Sequence, residues 1–140
     1  MVEVINHHPR YRFSKTETQR TVQAVLRKER KKLSSLSVVF VGHRVMRKIN
    51  RLFLGHDYST DVISFPLMDG MGFDAELYIN LDRAKSQAKQ YKVPYSHEVR
   101  RLLIHGTLHL LGYDDRTEKQ RKQMQRREDF YLTRLTQKRI

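Results

Sequence analysis

Two histidines four residues apart, followed by a glycine and a pair of aspartates, are where chemistry first becomes legible in this chain. The segment reads His105-Gly106-Thr107-Leu108-His109-Leu110-Leu111-Gly112-Tyr113-Asp114-Asp115. On a helix, residues four apart stand one above the other on the same face, so His105 and His109 can offer two imidazole nitrogens to one ion. Gly112 breaks the helix, and the chain beyond it can turn back to present a third ligand. Three protein ligands plus water is the arrangement of a catalytic zinc site, whereas structural zinc sites close with four. Such an ion lowers the pKa of a bound water to about 7 and makes hydroxide available at neutral pH. Spacing alone is weak evidence, because such a pair is more often structural. Gly106, read as leaving room for an ion or substrate, and the Gly-Tyr-Asp-Asp turn both favour a metal. A zincin protease would carry glutamate, its general base, directly after the first histidine. Here that position is Gly106, and a peptidase is disfavoured.

The elements that must position this segment follow from pattern. Val2 to Asn6 alternates as a first strand. Ser14-Lys-Thr-Glu17 is a capping box, and Val22, Val25, Leu26 and Leu33 then recur at helical spacing. Leu36 to Val41 reads as a buried strand ended by Gly42, and Met46, Ile49 and Phe53 mark a short helix closed near Gly55. Val62 to Phe65 is a strand stopped by Pro66, Asp69 to Asp74 a loop, and Glu76 to Asn80 a strand with Leu77 and Ile79 on one face. Ala84, Ala88 and Tyr91 support a helix ending before Pro94. A helix from about Ser96 carries Val99, Leu102, Leu103, Gly106 and Leu110 inward, with Gly112 as its stop. Thr117-Glu-Lys-Gln opens a last helix running toward Leu135. The order is β-α-β-α-β-β-α-α-α. A hairpin between the third and fourth strands must be antiparallel, and strands joined through helices are expected to be parallel. The expectation is one α+β domain over residues 1–140: a mixed four-stranded sheet packed by about five helices, the central one bearing the histidines.

Composition narrows the function classes. The 140 residues carry 28 Lys and Arg against 15 Asp and Glu, a formal net charge of +13. The excess is clustered, with nine basic and two acidic residues in Arg10 to Lys32 and nine basic and three acidic in Arg116 to Ile140. A polyanion is the natural partner, since Lys and Arg facing phosphates release condensed counterions. Neither basic segment pairs its charge with a strong aromatic face, so a membrane surface is disfavoured. The absence of cysteine excludes a disulfide scaffold, a thiolate metal site and a thiol nucleophile, and it suits a reducing cytosol. Met1 to Phe13 holds no apolar signal core, and the longest apolar run, Val38 to Val41, is far short of a span. A soluble, cytoplasmic protein is expected, with no organic cofactor.

The histidine segment resembles the signature of the YbeY endoribonuclease family, His-Gly-x-Leu-His-Leu-x-Gly-Tyr-Asp-His. Thr60-Asp61-Val62-Ile63-Ser64-Phe65-Pro66 is similar to that family's Thr-Asp-Val-Leu-Ser-Phe-Pro. Asn50 to Tyr58 is similar to its Asn-x-x-x-Arg-x-x-Asp-Tyr stretch, and Met124 and Glu128 fit the Met-x-x-x-Glu of its last helix. The resemblance runs from about Ile49 to Leu132. It implies an α+β fold, one Zn2+ per chain, and cleavage of single-stranded RNA in 16S rRNA 3′-end maturation, with the small ribosomal subunit as partner. Either Asp114 or Asp115 could be the third ligand beside His105 and His109; the register of the resemblance favours Asp115, which leaves Asp114 to cap the turn.

This chain departs from that pattern in three places. The family's third histidine falls on Asp115, a sound zinc ligand that adds negative charge. Its arginine falls on Leu54, so Arg51, one helical turn away, or Arg47, two turns away, must take over any phosphate contact. Its Gly-Asp-Ile strand appears as Ala75-Glu76-Leu77.

Other residues are weighed more plainly. Asp61 and Glu76 are the catalytic candidates, and neither is identifiable as a general base. Asp61 otherwise reads as a turn residue. Glu76 and Glu128 are expected to face the surface or pair with cations, with support of a ligand histidine as the alternative. Ser64 has no activating base. His7, His8, His43, His56 and His97 read as surface or loop residues. Tyr11, Phe13, Phe53, Tyr58 and Phe73 can stack single-stranded bases, though packing is the ordinary use. The alternative to an enzyme is a non-catalytic RNA- or ribosome-binding module with a structural metal.

Overall fold

Among the described residues, hydrophobic alternation, caps and glycine stops produce nine elements in the expected order. The computed structural model describes residues 2–31, 35–69 and 72–137. They are β1 (Val2–Asn6), α1 (Lys15–Lys28), β2 (Ser35–Val41), α2 (His43–Leu54), β3 (Val62–Asp69), β4 (Gly72–Asn80), α3 (Leu81–Tyr91), α4 (Tyr95–Leu110) and α5 (Glu118–Gln137). The sheet order is β1-β2-β4-β3, with β1 and β2 parallel, β2 and β4 parallel, and β3 antiparallel to β4. This is the mixed α+β sheet the pattern predicts.

Both capping boxes leave their mark. Ser14 Oγ accepts from the Glu17 N–H at 3.2 Å, and Thr117 Oγ1 accepts from Gln120 N–H while Gln120 Oε1 accepts from Thr117 N–H. The stops of α2 and α4 are glycines with positive φ, Gly55 at 73° and Gly112 at 102°, a region open to glycine without strain. Leu33, expected to continue α1, lies outside the described residues.

The hairpin is longer than expected. β3 continues through Pro66 to Asp69, and β4 begins at Gly72 instead of Glu76. Pro66 is tolerated because β3 is an edge strand, where a missing N–H need not break a ladder.

Alternation along the strands divides the core. Leu36, Val38, Phe40, Leu77 and Ile79 face one side, where they meet Val22 of α1, Leu81 and Ala84 of α3, and Val99, Leu102 and Leu103 of α4. Ile63, Phe65, Tyr78 and Val41 face the other, under Met46, Val45 and Ile49 of α2. The outer side of α4 is covered in turn: Ile104 and Leu108 pack with Val25 of α1 and Met124, Tyr131, Leu132 and Leu135 of α5. α4 is thus central, a helix buried against sheet and helices at once.

Gly106 has a different task from the one its neighbours suggest. A Cβ there would overlap Leu77 Cδ1 and lie 2.9 Å from Val62 Cγ1. The glycine therefore faces the sheet, not an ion or substrate, and lets α4 lie close upon β3 and β4. A glutamate at this position has no room, which removes the zincin base on steric grounds.

Candidate metal centre

Gly106 brings the turn of α4 that carries His105 and His109 down beside β3. His105 Nε2 and His109 Nε2 are 3.1 Å apart. The chain breaks at Gly112 and returns Asp115, whose Oδ2 lies 3.5 Å from His105 Nε2 and 3.4 Å from His109 Nε2. The three donor atoms form a nearly equilateral cluster of partly buried groups able to hold a metal ion. Asp114 is not in this cluster.

The cluster opens into a cavity of about 440 Å³, whose walls include Leu54, His56, Tyr58, Asp61 and Ser64. Two buried asparagines hold its rim. Asn50 Nδ2 donates to Tyr58 O at 2.9 Å, and Asn80 Nδ2 donates to Thr60 O and Ser59 Oγ, while the Asn80 N–H reaches Asp61 O. With those asparagines only 2% and 0% exposed, the segment from Tyr58 to Asp61 is fastened from behind.

Behind the histidines stands a charged relay. Glu128 of α5, almost fully buried, accepts from His105 Nδ1 at 2.6 Å and from Arg101 at 3.2 Å, and Arg101 also pairs with buried Glu98 at 2.5 Å. A carboxylate on Nδ1 puts the proton there and leaves the Nε2 lone pair facing the cavity. Burial of His105 works against its protonation. The hydrogen bond and charge of Glu128, with smaller effects from Asp61 and Asp115, outweigh that burial and lift the imidazole above its ordinary value.

A family model described as endoribonuclease YbeY matches residues 3–136. The chain belongs to the YbeY family. An endoribonuclease YbeY of Chlorobium phaeovibrioides is 38% identical over 128 residues, covering 91% of this chain and 86% of that protein. One from Chlorobium limicola is 44% identical over 119 residues, covering 85% and 83%. The solution structure of TM1509 from Thermotoga maritima superposes with a TM-score of 0.63 at 25% identity, covering 94% of this chain and 87% of that one. The sheet and five helices described above are the fold this likeness supports.

Against the YbeY pattern, the predicted residues separate. His105, His109, Asp115 and Asp61 share the cavity. Glu76 does not: it pairs with Phe65 and contacts Tyr78 at 3.4 Å, on the α2 side of the sheet opposite Leu77. With α4 on the Leu77 face, strand alternation turns Glu76 away from this cavity. Arg47 and Arg51 lie on the other flank of α2, lining a separate recess with Arg44 and Lys48, and Arg47 pairs with Asp57 at 2.9 Å. Leu54 itself stands in the cavity wall where the family's arginine is expected.

Glu128 corrects the surface-facing expectation, since it is buried, although it is ion-paired as well as bound to His105. Ser64 Oγ donates to Gly106 O at 3.1 Å, so its hydroxyl is engaged in fastening α4. His8 is buried and accepts from two backbone N–H groups while donating to Asp82, and His56 lines the cavity. Phe13 is in the core, and the Phe73 side chain lies outside the described residues. Glu98 and Arg101 were absent from the sequence reading. Their signal was available: Glu98, Arg101 and His105 recur at i, i+3 and i+7, one stripe of α4.

Proposed function

We propose that this chain is a metal-dependent endoribonuclease acting on single-stranded RNA, with one zinc ion held by His105 Nε2, His109 Nε2 and Asp115 Oδ2. On this reading its cellular substrate is the 3′ end of the 16S rRNA precursor, met in the cytoplasm with the small ribosomal subunit as partner. The observation that carries the metal is the spacing of the three donors. Ligand atoms about 2.0–2.1 Å from a tetrahedral ion stand about 3.3 Å from one another, and here the three separations are 3.1, 3.4 and 3.5 Å. Donor chemistry agrees, because Glu128 leaves Nε2 of His105 free to ligate. The family membership and the +13 charge support RNA over other substrates.

An ion at this site supplies Lewis acidity and a water deprotonated near neutral pH. The chain's own groups set the rest. Glu128 orients His105, and Arg101 and Glu98 fix Glu128. Asp61, which lines the same cavity, would take a proton from water or from a ribose 2′-hydroxyl. Asp115, anionic where the family has histidine, weakens the ion as a Lewis acid and makes harder cations better competitors.

Elemental analysis of protein purified without added metal tests the centre of this reading. About one zinc per chain is expected, and His109→Ala should lose it while keeping the far-UV spectrum of a folded chain. Full metal content in His109→Ala would remove the ligand assignment. Leu54 at the arginine position favours a second reading, a non-catalytic RNA-binding module. Chelator-insensitive binding of short single-stranded RNA without any cleavage by the metal-loaded protein would decide for it.

A further inference from the structure

The C-terminal end of α2 and the turn after it expose a run of large apolar and aromatic side chains, four of the six so exposed among the described residues. Phe53 is 69% exposed, Tyr58 55% and Leu54 46%. Phe53 is held edge-on against Phe65, with ring centroids 5.8 Å apart. Tyr58 and His56 stack on one another at 5.3 Å and 30°, and both, with Leu54, line the cavity that contains His105, His109 and Asp115. The backbone under Tyr58 is fixed by the buried Asn50 amide. This is a flat, pre-positioned π surface beside the three donors.

The opposite flank of α2 is cationic. Arg44, Arg47, Lys48 and Arg51 line a recess of about 500 Å³ together with His43 and Ser59, where the only carboxylate paired with these cations among the described residues is Asp57, on Arg47. One helix therefore presents cations on one side and an apolar, aromatic wall on the other. A polyanion whose backbone carries flat, partly apolar rings matches both surfaces at once. A single nucleic-acid strand has this character, and a duplex does not, because its base faces are already stacked.

We propose that Tyr58, backed by His56 and flanked by Leu54, is the seat for one unpaired RNA base next to the scissile phosphate, while the cations of α2 follow the backbone. This rests on the cavity being an RNA site, and it gives that site its requirement for unpaired nucleotides. Leu54 then has a use of its own. In place of an arginine's phosphate contact it supplies apolar area to the ring.

The test measures binding of the full-length, metal-loaded protein to two fluorescein-labelled 2′-O-methyl strands of roughly eight nucleotides. One carries bases and the other is abasic, both are read at about 50 mM salt, and strand integrity is checked afterwards. The base-bearing strand should bind about ten- to a hundredfold more tightly than the abasic one, the range expected for one stacked base. Tyr58→Ala should erase that difference without weakening the abasic complex, and Tyr58→Trp should retain it. Equal affinity of the wild-type protein for both strands overturns the seat and leaves RNA binding intact. So does a Tyr58→Ala loss equal for both strands. Binding of neither strand removes the RNA reading and the seat together.

Discussion

Glu29, just past the end of α1, accepts hydrogen bonds from the Tyr113 and Tyr131 hydroxyls and from Arg127, while Glu128, the next residue along α5, divides its oxygens between Arg101 and His105. Both carboxylates are largely buried against the same helix, and both are paired with arginine. They differ in what lies behind their donors. The tyrosines and Arg127 lead back into packed side chains, with Tyr131 in the cluster of Ile104, Leu108 and Met124. His105 leads through its ring to a second nitrogen that faces the cavity. Glu29 ties α1, the Gly112 turn and α5 together. Glu128 uses the same kind of bond to set the tautomer of a ligand. Burial and pairing alone therefore do not mark a functional acid; the chemistry at the far end of its partner does.

The contrast is broken most directly at Glu128. Glu128→Gln keeps the shape but removes the charge that holds the proton on Nδ1, and affinity for zinc should fall about ten- to a hundredfold. Competition with a fluorescent chelator measures this. Undiminished affinity would mean that Glu128 is merely another fastener. Glu29→Gln should do the reverse, lowering stability in urea by about 1.5–3 kcal/mol, the range for a hydrogen bond to a charged group, with zinc affinity unchanged.

The pH dependence sharpens the same distinction. Burial pushes the Glu29 carboxyl upward, but the bonds from Tyr131, Arg127 and Tyr113 prevail and leave it below its ordinary value of 4.5. A depressed carboxyl contributes stability that is complete above its unfolded pKa and is lost as pH falls through its folded pKa. Thermal melts from about pH 6 down to about pH 3 should show wild type losing more stability than Glu29→Gln over that interval. Parallel losses in the two proteins would show that Glu29 does not carry this acid sensitivity.

How much of this was legible beforehand depends on the range of the signal. Strand alternation, the boxes at Ser14 and Thr117, and the glycine stops are local, and the elements follow them closely. The His105–His109 pair is local too, being one helical turn. Glu128 is 23 residues from His105 on another helix, and only the packing of α5 onto α4 pairs them. Gly106 was misread because sequence shows that a side chain is missing but not which neighbour fills the space. Glu76 needed one further fact, that α4 lies on the Leu77 face; alternation then sends Glu76 to the other.

The two regions meet at Tyr113. Its hydroxyl donates to Glu29 at 2.8 Å, its N–H reaches Leu108 O, and it stands two residues before Asp115 in the turn that returns the third donor. Tyr113→Phe removes one of the donors to Glu29 and nothing else of shape, so stability should fall by about 0.5–1.5 kcal/mol. The Gly112 stop and the Leu108 bond still close α4, so Asp115 should return to the histidines and zinc affinity should change by less than about threefold. A tenfold loss of zinc with so small a loss of stability would mean that the Glu29 clamp aims Asp115. The division between a fastening acid and a ligand-setting acid would then give way to a single network reaching from α1 to the metal.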